Sequence, residues 1–320
     1  MEFLKKRETW CLAFVSRVLV ADSVPESFLQ RLSSLGFSVD YRPGVSREAL
    51  VEMLDGYEVL VFRSRLRVNR ELIDSATSLR VLARYGVGLD NVDVDYAVSR
   101  GIAVVNAPCS SAVSVAELTL GLLLMLFRNL YQHVDSVKKG YWSKGAFVGR
   151  ELHGKTLGVV GFGRIGRLVA RYAASLNMRV LVADVRDVSR EASEVGAEQV
   201  GLEELLSSSH AVTLHVPLTP KTHRMISWRE FSIMREGAFL VNTSRGEVVD
   251  SEALLANLDR LGGVALDVLE EEPPRSERLL RIIAHPKVIV TPHIGAETLE
   301  AQERIGEELA VAIREAVERL

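Results

Sequence analysis

TLGVVGFGRIGRLVA, residues 156–170, runs from an apolar strand pattern through three spaced glycines into a helical pattern. The glycines follow the spacing G-x-G-x-x-G, and a second strand pattern, RVLVAD, ends in Asp184 about 20 residues later. In such a unit the first glycine makes a tight turn, the second lets the backbone approach a pyrophosphate, and the third lets the helix pack on the strand. We therefore predict a dinucleotide site at the N-terminus of this helix. The residues expected to line it are Gly161, Gly163, Arg164, Ile165 and Gly166.

Asp184 indicates which cofactor to expect. A carboxylate at the end of the second strand accepts hydrogen bonds from ribose hydroxyls and repels a 2′-phosphate, which favours NAD over NADP. Arg186 could soften that preference, because a guanidinium attracts phosphate. The alternative is a tight turn that binds no ligand, and the acid at the expected spacing weighs against it.

The composition is typical of a soluble globular protein. The chain has 320 residues, of which 48% are hydrophobic and 25% charged, with a net charge of −3. No basic excess indicates a nucleic-acid partner. The two cysteines, Cys11 and Cys109, have no metal-ligand spacing, so we predict neither a disulfide framework nor a metal site. A reducing cytoplasm is the expected location.

Two apolar segments have some features of a membrane span or an export signal. The N-terminus has a basic start and an apolar stretch, but Arg17 interrupts it, and RVLVAD (17–22) fits a strand better than a signal peptide. The run LTLGLLLMLF (118–127) is too short to span a bilayer. We expect no association with a membrane.

Strand and helix patterns alternate along the chain, which predicts parallel sheets with right-handed crossovers. Ten strands suit two doubly wound α/β domains better than one. Residues 109–293 are expected to form a Rossmann nucleotide domain, inserted in a second domain made of 1–108 and 294–320. The predicted strands are 17–22, 58–63, 80–86, 102–108, 156–163, 179–184, 211–217, 238–244, 263–268 and 287–293.

Two long helices are predicted beside these strands. Ser114 could cap the first helix, with Glu117 completing a capping box, and this helix would carry the chain between the domains. The amphipathic stretch 296–320 would form the second. Residues 57–93 and 209–250 also repeat one order: strand, polar loop, helix, strand, a loop with arginine and glycine, then an aspartate.

Three predicted strand ends carry side chains suited to acid–base chemistry. Arg245 follows one strand, next to Gly246, which would let the chain turn; Glu272 and His293 follow the next two. A histidine near neutral pKa suits proton transfer from a hydroxyl, and a carboxylate beside it stabilises the imidazolium. An arginine can hold a substrate carboxylate and polarise the reacting oxygen. This set fits oxidation of a small anionic 2-hydroxy acid.

Each residue also has a structural alternative. Arg245 could pair with Asp250, Glu272 could be solvated within an acidic run, and His293 could cap the following helix. Their occurrence together after a dinucleotide motif favours the catalytic interpretation.

The motifs GFGRIG, HVPLTPKT, NTSRG, LDVLEEEP and TPHIGA resemble those of the D-isomer-specific 2-hydroxyacid dehydrogenases, and the resemblance extends from Val18 to Ile313. It implies a nucleotide domain inserted in a flavodoxin-like catalytic domain, NAD as cofactor, and a homodimer formed through the helix at 114–130. It places the catalytic triad on Arg245, Glu272 and His293, and a contact with the nicotinamide carboxamide on Asp267. Further cofactor contacts are implied for His215, Val216, Pro217, Thr243, Ser244, Gly295 and Ala296.

Within the family, VFRSRLRVNRELID and ARYGVGLDNVD are most similar to the members that oxidise D-3-phosphoglycerate in serine biosynthesis. That likeness implies that Arg63, Ser64 and Arg65 meet the substrate phosphate, although a solvated basic loop is the alternative. Val87, Gly88 and Asn91 would hold the substrate carboxylate. Longer members carry a serine-sensing regulatory domain, which we do not expect here.

Several residues depart from the pattern. Leu66 stands where threonine is common, His210-Ala211 where Cys-Asp is usual, and Glu297 where serine is common. Glu297 could raise the pKa of His293 or disfavour an anionic substrate. Two other functions therefore stay open: a glyoxylate or hydroxypyruvate reductase, and an NAD-sensing protein like the corepressors that share this architecture.

Overall fold

The computed structural model describes residues 16–319, so Cys11 and the first 15 residues of the N-terminal apolar segment lie outside the described residues. The chain divides into two compact units, one made of Met1–Ser111 and Leu299–Leu320 and the other of Ala112–Thr298. The boundaries expected from the sequence, after residues 108 and 293, lie a few residues before these. The described part of each unit contains one parallel sheet.

The first unit has a flavodoxin-like sheet with the strand order β2-β1-β3-β4-β5. Its strands are β1 (Arg17–Val20), β2 (Ser38–Tyr41), β3 (Val59–Phe62), β4 (Val81–Arg84) and β5 (Ala103–Val105). Its helices are α1 (Glu26–Ser34), α2 (Arg47–Met53), α3 (Arg70–Asp74), α4 (Val94–Ser99) and α13 (Leu299–Arg319).

The second unit has a Rossmann sheet with the order β12-β11-β10-β9-β6-β7-β8. Its strands are β6 (Thr156–Val160), β7 (Arg179–Ala183), β8 (Ala197–Gln199), β9 (Ala211–Leu214), β10 (Phe239–Asn242), β11 (Gly263–Leu266) and β12 (Val288–Val290). Its helices are α5 (Ala112–Phe127), α6 (Leu130–Lys138), α7 (Arg164–Ser175), α8 (Ser189–Ser193), α9 (Leu202–Ser208), α10 (Trp228–Ile233), α11 (Ser251–Asn257) and α12 (Glu277–Ile283), with a 3₁₀ turn at Gly246–Val248.

The predicted fold class, two doubly wound parallel-sheet domains, is confirmed, and all ten predicted strands are present. The inner strands are buried on both faces, as parallel sheets covered by helices require. Successive residues of β10 show this, because Leu240 packs into one apolar cluster and Val241 into the cluster on the other face. β2 and β8 were missed because each is a short, partly exposed edge strand without an apolar run.

One prediction about the two long helices, the N-terminal cap of the first, differs from the structure. The capping box at Ser114 is wrong: α5 begins at Ala112, and the hydroxyl of Ser114 donates instead to the carbonyl of Gly295 at 2.7 Å. Asn129, with a left-handed φ of 48°, separates α5 from α6. α13 belongs to the first unit, where a Cβ on Gly306 would lie 3.2 Å from Phe28 and the hydroxyl of Tyr85 donates to the carbonyl of Gln302.

Candidate active site

The carboxyl edge of the seven-stranded sheet carries the predicted cofactor and catalytic residues. β6 and β9 are neighbours, and the chain order reverses between them, which is where doubly wound sheets bind ligands. The glycine loop follows β6, and His215 follows β9. Of the remaining predicted residues, Val216 and Pro217 also follow β9, Thr243 and Ser244 follow β10, Asp267 follows β11, and Gly295 and Ala296 follow β12.

The three glycines of the loop are needed for different reasons. Gly161 has a left-handed φ of 90°, and a Cβ there would lie 2.5 Å from the carbonyl oxygen of His215. A Cβ on Gly166 would overlap the carbonyl oxygen of Gly161. A Cβ on Gly163 would meet no described atom within 4 Å. Gly163 thus leaves open space at the N-terminus of α7, which fits the approach of a pyrophosphate.

His215 supplies a polar atom beside this loop. Its Nε2 lies 2.9 Å from the hydroxyl of Thr213, and its Nδ1 is buried without a hydrogen-bond partner among the described residues. Burial lowers the pKa of His215 to about 3, so the ring is neutral near pH 7. A buried, unsatisfied ring nitrogen next to the glycine loop is consistent with a polar ligand there. The residues present fit a dinucleotide.

Asp184 lies at the end of β7 with both carboxylate oxygens engaged. Oδ2 accepts from the backbone amide of Phe162 at 2.8 Å, and Oδ1 accepts from the amide and the Nε of Arg186 at 3.0 and 3.2 Å. Burial acts to raise the pKa of Asp184, but the hydrogen bonds from Arg186 and Phe162 outweigh it and hold the pKa below its ordinary value. The acid is ionised and attached to the glycine loop through Phe162.

Arg245 is positioned by the end of β10. Asn242 is fully buried, and its side-chain amide donates to the carbonyl of Arg245 at 2.8 Å, while its Oδ1 accepts from the amide and hydroxyl of Ser244. The guanidinium donates to the carbonyl of Ser244 at 2.7 Å. The sequence indicated a turn at Asn242, as an asparagine at a strand end does, but not that its side chain positions Arg245.

Gly246 begins the 3₁₀ turn, so the chain turns at the predicted position. The glycine is not needed there for its φ, because Gly246 is not among the residues with positive φ. A Cβ at Gly246 would overlap the backbone of Leu269 and Glu270. The glycine is required because two backbone segments touch, and one of them leads directly to Glu272.

His293 and Glu272 form the acid–base pair that the sequence suggested. His293 Nδ1 lies 2.7 Å from Glu272 Oε2, and Glu272 Oε1 accepts from the amide of Leu269 at 3.0 Å. The hydrogen bond to Glu272 raises the pKa of His293, against the effect of burial. Burial acts to raise the pKa of Glu272, but the contact with His293 outweighs it and lowers that pKa. Nδ1 is therefore committed to Glu272, and Nε2 is left for proton exchange.

Asp267 holds the loop that carries His293. Its Oδ1 accepts from the hydroxyl of Thr291 at 2.5 Å and the amide of Ile294 at 2.9 Å, and its Oδ2 accepts from the amide of Gly295 at 2.9 Å. His293 itself has a left-handed φ of 55°, a strained conformation for a side chain of this size. Asp267 is 2% exposed, and burial raises its pKa. The implied contact with nicotinamide stays a prediction beside this positioning role.

The residues expected to bind substrate phosphate lie on the first unit, after β3. Arg65 Nε lies 2.7 Å from Asp22 Oδ1, and the backbone amide of Arg63 donates to Asp22 Oδ2 at 2.7 Å. Asp22 is 5% exposed, so a buried carboxylate orients this loop. Ser64 is exposed between the two arginines. The loop is structured, and Arg65 is an ion-paired side chain.

Other residues of this edge were expected to hold a carboxylate. The amide of Asn91 donates to the carbonyls of Arg63 and Leu66, at 3.1 and 2.6 Å, so its side chain braces the arginine loop. Val87 and Gly88 follow β4 and are partly exposed. Leu66 is 3% exposed within the apolar core, which explains an apolar residue there.

Arg84 is a further charged residue at this edge, and sequence reasoning missed it. Arg84 is the last residue of β4 and pairs in register with Phe62 of β3, the residue before Arg63. Its Nη1 donates to the carbonyl of Tyr85. The signal was present in ARYG, which repeats the arginine-and-glycine order of NTSRG.

One of the unusual residues, His210, lies apart from the chemistry. The backbone amide of Thr156 donates to His210 Nδ1 at 3.0 Å, at the amino ends of β6 and β9, which is the opposite edge from the cofactor residues. His210 is therefore structural. The largest effects on the pKa of His293 come from Glu272, burial, Asp267 and Arg245, and the exposed Glu297 is not among them.

Residues 16–319 contain no cluster of three or more side chains that could hold a metal ion. Within the same range no single helix is long and apolar enough to cross a membrane; the pair α5 and α6, bent by 69°, reaches that length and composition together.

Comparison with known proteins gives consistent matches. The D-isomer specific 2-hydroxyacid dehydrogenase NAD-binding domain matches residues 120–295. The D-3-phosphoglycerate dehydrogenase of Methanocaldococcus jannaschii is 42% identical over 301 residues, 93% of this chain and 57% of that protein. The hydroxypyruvate reductase of Thermotoga maritima is 40% identical over 271 residues, 84% of this chain and 88% of that protein.

Among solved structures, the D-lactate dehydrogenase from Aquifex aeolicus complexed with NAD and lactic acid has a TM-score of 0.82 at 32% identity, covering 95% of this chain and 96% of that one. The chain spans little more than half the length of the phosphoglycerate dehydrogenases that it matches.

Proposed function

The chain belongs to the D-isomer specific 2-hydroxyacid dehydrogenases, and we propose that it is an NAD-dependent enzyme of that family whose substrate is D-3-phosphoglycerate. The observation that carries the reaction type is the hydrogen-bonded pair of His293 and Glu272 at 2.7 Å, on the same sheet edge as Arg245. The relatives named as phosphoglycerate dehydrogenases support the substrate.

The proposed reaction removes a proton and a hydride from the substrate. Neutral His293 accepts the proton of the C2 hydroxyl at Nε2, and Glu272 stabilises the resulting imidazolium through Nδ1. Arg245 holds the substrate carboxylate and polarises the C2 oxygen as it becomes a carbonyl. Bound NAD supplies the hydride acceptor.

The phosphate of the substrate is assigned to the arginine loop of the first unit. Arg63 follows β3, Arg84 ends the neighbouring strand β4, and Ser64 adds a hydroxyl. A phosphate dianion pairs well with guanidinium groups. Arg65 lies in the same loop, where its Nε donates to Asp22 Oδ1.

A substrate panel tests this proposal. The variant Arg63→Ala/Arg84→Ala should raise the KM for D-3-phosphoglycerate at least tenfold more than the KM for D-glycerate or D-lactate, since charge-assisted hydrogen bonds contribute about 1.5–3 kcal/mol each. Arg67→Ala is the matched control, because Arg67 is an exposed arginine in the same segment. An equal effect on all substrates would refute the phosphate assignment.

A second candidate, hydroxypyruvate or glyoxylate reduction, is favoured by two observations. Arg65 is paired with Asp22, and the hydroxypyruvate reductase of Thermotoga maritima is matched over 88% of its length. If reduction of hydroxypyruvate proceeds with a higher kcat/KM than reduction of 3-phosphohydroxypyruvate, this second function replaces the first.

We also propose that the enzyme works as a homodimer in the cytoplasm. Leu130, Val134 and Val137 form one exposed apolar face of α6, and Trp142, just after it, is 86% exposed. An apolar stripe of this kind indicates an interface. Val134→Asp should convert the dimer to monomers in light scattering, whereas Val185→Asp, at another exposed valine, should not.

A further inference from the structure

Helix α5 carries two buried hydroxyl groups, and its other buried residues are apolar. Ser114 is 5% exposed and Thr119 is fully buried. The hydroxyl of Ser114 donates to the carbonyl of Gly295 at 2.7 Å, and Thr119 Oγ1 lies 3.0 Å from Thr243 Oγ1. A buried hydroxyl costs free energy unless it is hydrogen-bonded. Each of these hydroxyls therefore ties α5 to a loop at the carboxyl edge of the seven-stranded sheet, one after β12 and the other after β10.

The contact of Ser114 holds the loop that carries His293. Gly295 follows His293 by two residues, and its amide donates to Asp267 Oδ2 at 2.9 Å. Because its carbonyl accepts from Ser114, both polar groups of its backbone are held. A Cβ on Gly295 would lie 3.1 Å from Val115 and 3.2 Å from Asp267, so α5 and the acid enclose the loop closely. His293 has a φ of 55°, and a strained conformation of this kind persists only where the surrounding structure fixes it.

The contact of Thr119 holds the loop that carries Arg245. Thr243 is 7% exposed and precedes Arg245 by two residues. Thr119 Oγ1 donates to the carbonyl of Val115 at 2.8 Å, so its oxygen accepts the hydrogen bond from Thr243. The carbonyl of Ser244, between the two, accepts from the guanidinium of Arg245 at 2.7 Å. A displacement of Thr243 is therefore passed on to Arg245.

We propose that Ser114 and Thr119 are positioning residues of the reaction, because they attach the loop of His293 and the loop of Arg245 to one helix and so fix the two loops relative to each other. The inference rests on the proposed roles of His293 and Arg245. The side chains described above at the ends of β10 and β11 each support one of these loops, whereas α5 reaches both. A helix fixes a geometry more precisely than a loop does.

Ser114→Ala removes the first tie. It should lower kcat about tenfold, because even a small displacement of a catalytic group slows the reaction. The pKa of His293 should fall toward its ordinary value, since the loop can then move the ring away from Glu272. Steady-state kinetics measure kcat, and NMR titration of the histidine ring protons in the free enzyme measures the pKa. Ser114→Cys has a similar size and a weak S–H donor, so it should give intermediate values and serves if the alanine variant does not fold.

Thr119→Val removes the second tie at nearly the same side-chain volume. It should raise the KM for substrate about tenfold, because Arg245, which holds the substrate carboxylate through charge-assisted hydrogen bonds, is displaced. The pKa of His293 should not fall in this variant, since Arg245 acts to lower it. Thr119→Ser keeps the hydroxyl and should restore the KM of the wild type.

Ser209→Ala is the matched control, because Ser209 is also fully buried but lies just before β9, at the amino edge of the same sheet. It should change neither kcat, KM nor the pKa of His293. Effects in Ser209→Ala equal to those in Ser114→Ala, or a Thr119→Ser variant as impaired as Thr119→Val, would overturn the proposal.

His293→Ala separates this inference from the proposed function. Turnover retained in His293→Ala would refute the proposed function and the inference with it. An inactive His293→Ala beside a Ser114→Ala variant with unchanged kcat and an unchanged pKa of His293 would refute the inference alone.

Discussion

The loops after β4 and β10 look alike in sequence and are built differently. Both place an arginine and then a glycine at the end of a buried parallel strand: Arg84, Tyr85 and Gly86 in the first unit, and Arg245 and Gly246 in the second. Gly86 has a φ of 137°, and a Cβ there would meet the guanidinium of Arg84 at 2.5 Å. Gly246 would meet the backbone of Leu269 and Glu270 instead.

The acids at the two sheet edges differ as well. In the first unit, buried Asp22 orients a loop of arginines through Arg65 and the amide of Arg63. In the second, Glu272 is partnered by a histidine, so that edge can move a proton. The first edge therefore carries clustered arginines oriented by an acid, and the second carries a paired acid and base, although the same strand–loop pattern built both.

Removing His293, the proton acceptor of the second edge, should give the largest effect on kcat. His293→Ala should lower kcat about 10²–10⁴-fold, the usual contribution of a general base, while the Kd for NAD stays within a few-fold. Stopped-flow turnover and NAD calorimetry measure the two quantities. Turnover near the wild-type rate would remove His293 from the mechanism, and Arg84→Ala serves as the comparison variant from the first edge.

Alanine variants of Gly246 and Gly86 should give the next largest difference in kcat. Gly246→Ala must push the 269–272 segment away, and displacement of a catalytic group by about 1 Å can cost about 10²-fold in kcat. Gly86→Ala places alanine at a strained φ, yet its Cβ meets only a flexible side chain, so we expect a stability loss of about 1–3 kcal/mol and a smaller change in kcat. Equal kcat values for the two variants would mean that the backbone contact at Gly246 does not position Glu272.

Sequence reasoning succeeded where the determinants are local. The glycine spacing, the apolar strand runs and the strand-end residues are all contained in short windows, and they gave the fold class and the nucleotide motif. It failed where distant segments meet. Gly246 is explained only by Leu269, and Arg65 is compensated by an acid 43 positions earlier. Ser114 has the spacing of a cap, but a contact with Gly295 places it inside α5.

Changing the acid of the reactive pair should shift the pH profile. Glu272 raises the pKa of His293 by accepting its hydrogen bond and stabilising the imidazolium. In Glu272→Gln that pKa should fall, so neutral His293 persists to lower pH, and the acidic limb of kcat/KM for oxidation should move to lower pH. The maximum should drop about tenfold as ring orientation loosens.

The acidic limb is measured with saturating NAD in buffers of constant ionic strength. Asp22→Asn changes the acid of the first edge and should leave the position of the acidic limb unchanged. A limb that stays in place in Glu272→Gln would show that the observed ionisation does not belong to His293.

The smallest expected difference concerns Glu270 and Asp22, the acids that support the 269–272 segment and the arginine loop. Glu270 accepts from the hydroxyl of Ser251 and from Arg278, and its side chain is 12% exposed. Glu270→Gln and Asp22→Asn should each lower the free energy of unfolding by about 1–3 kcal/mol, since each weakens buried charge-assisted hydrogen bonds. The two variants should differ in their kinetics. Glu270→Gln should lower kcat a few-fold by loosening the segment before Glu272, whereas Asp22→Asn should change only the KM for phosphorylated substrate.

Urea unfolding measures the loss of stability, and steady-state kinetics measure kcat and KM. A kcat loss in Asp22→Asn equal to that in Glu270→Gln would contradict the proposed assignment of phosphate binding to the first edge and of catalysis to the second.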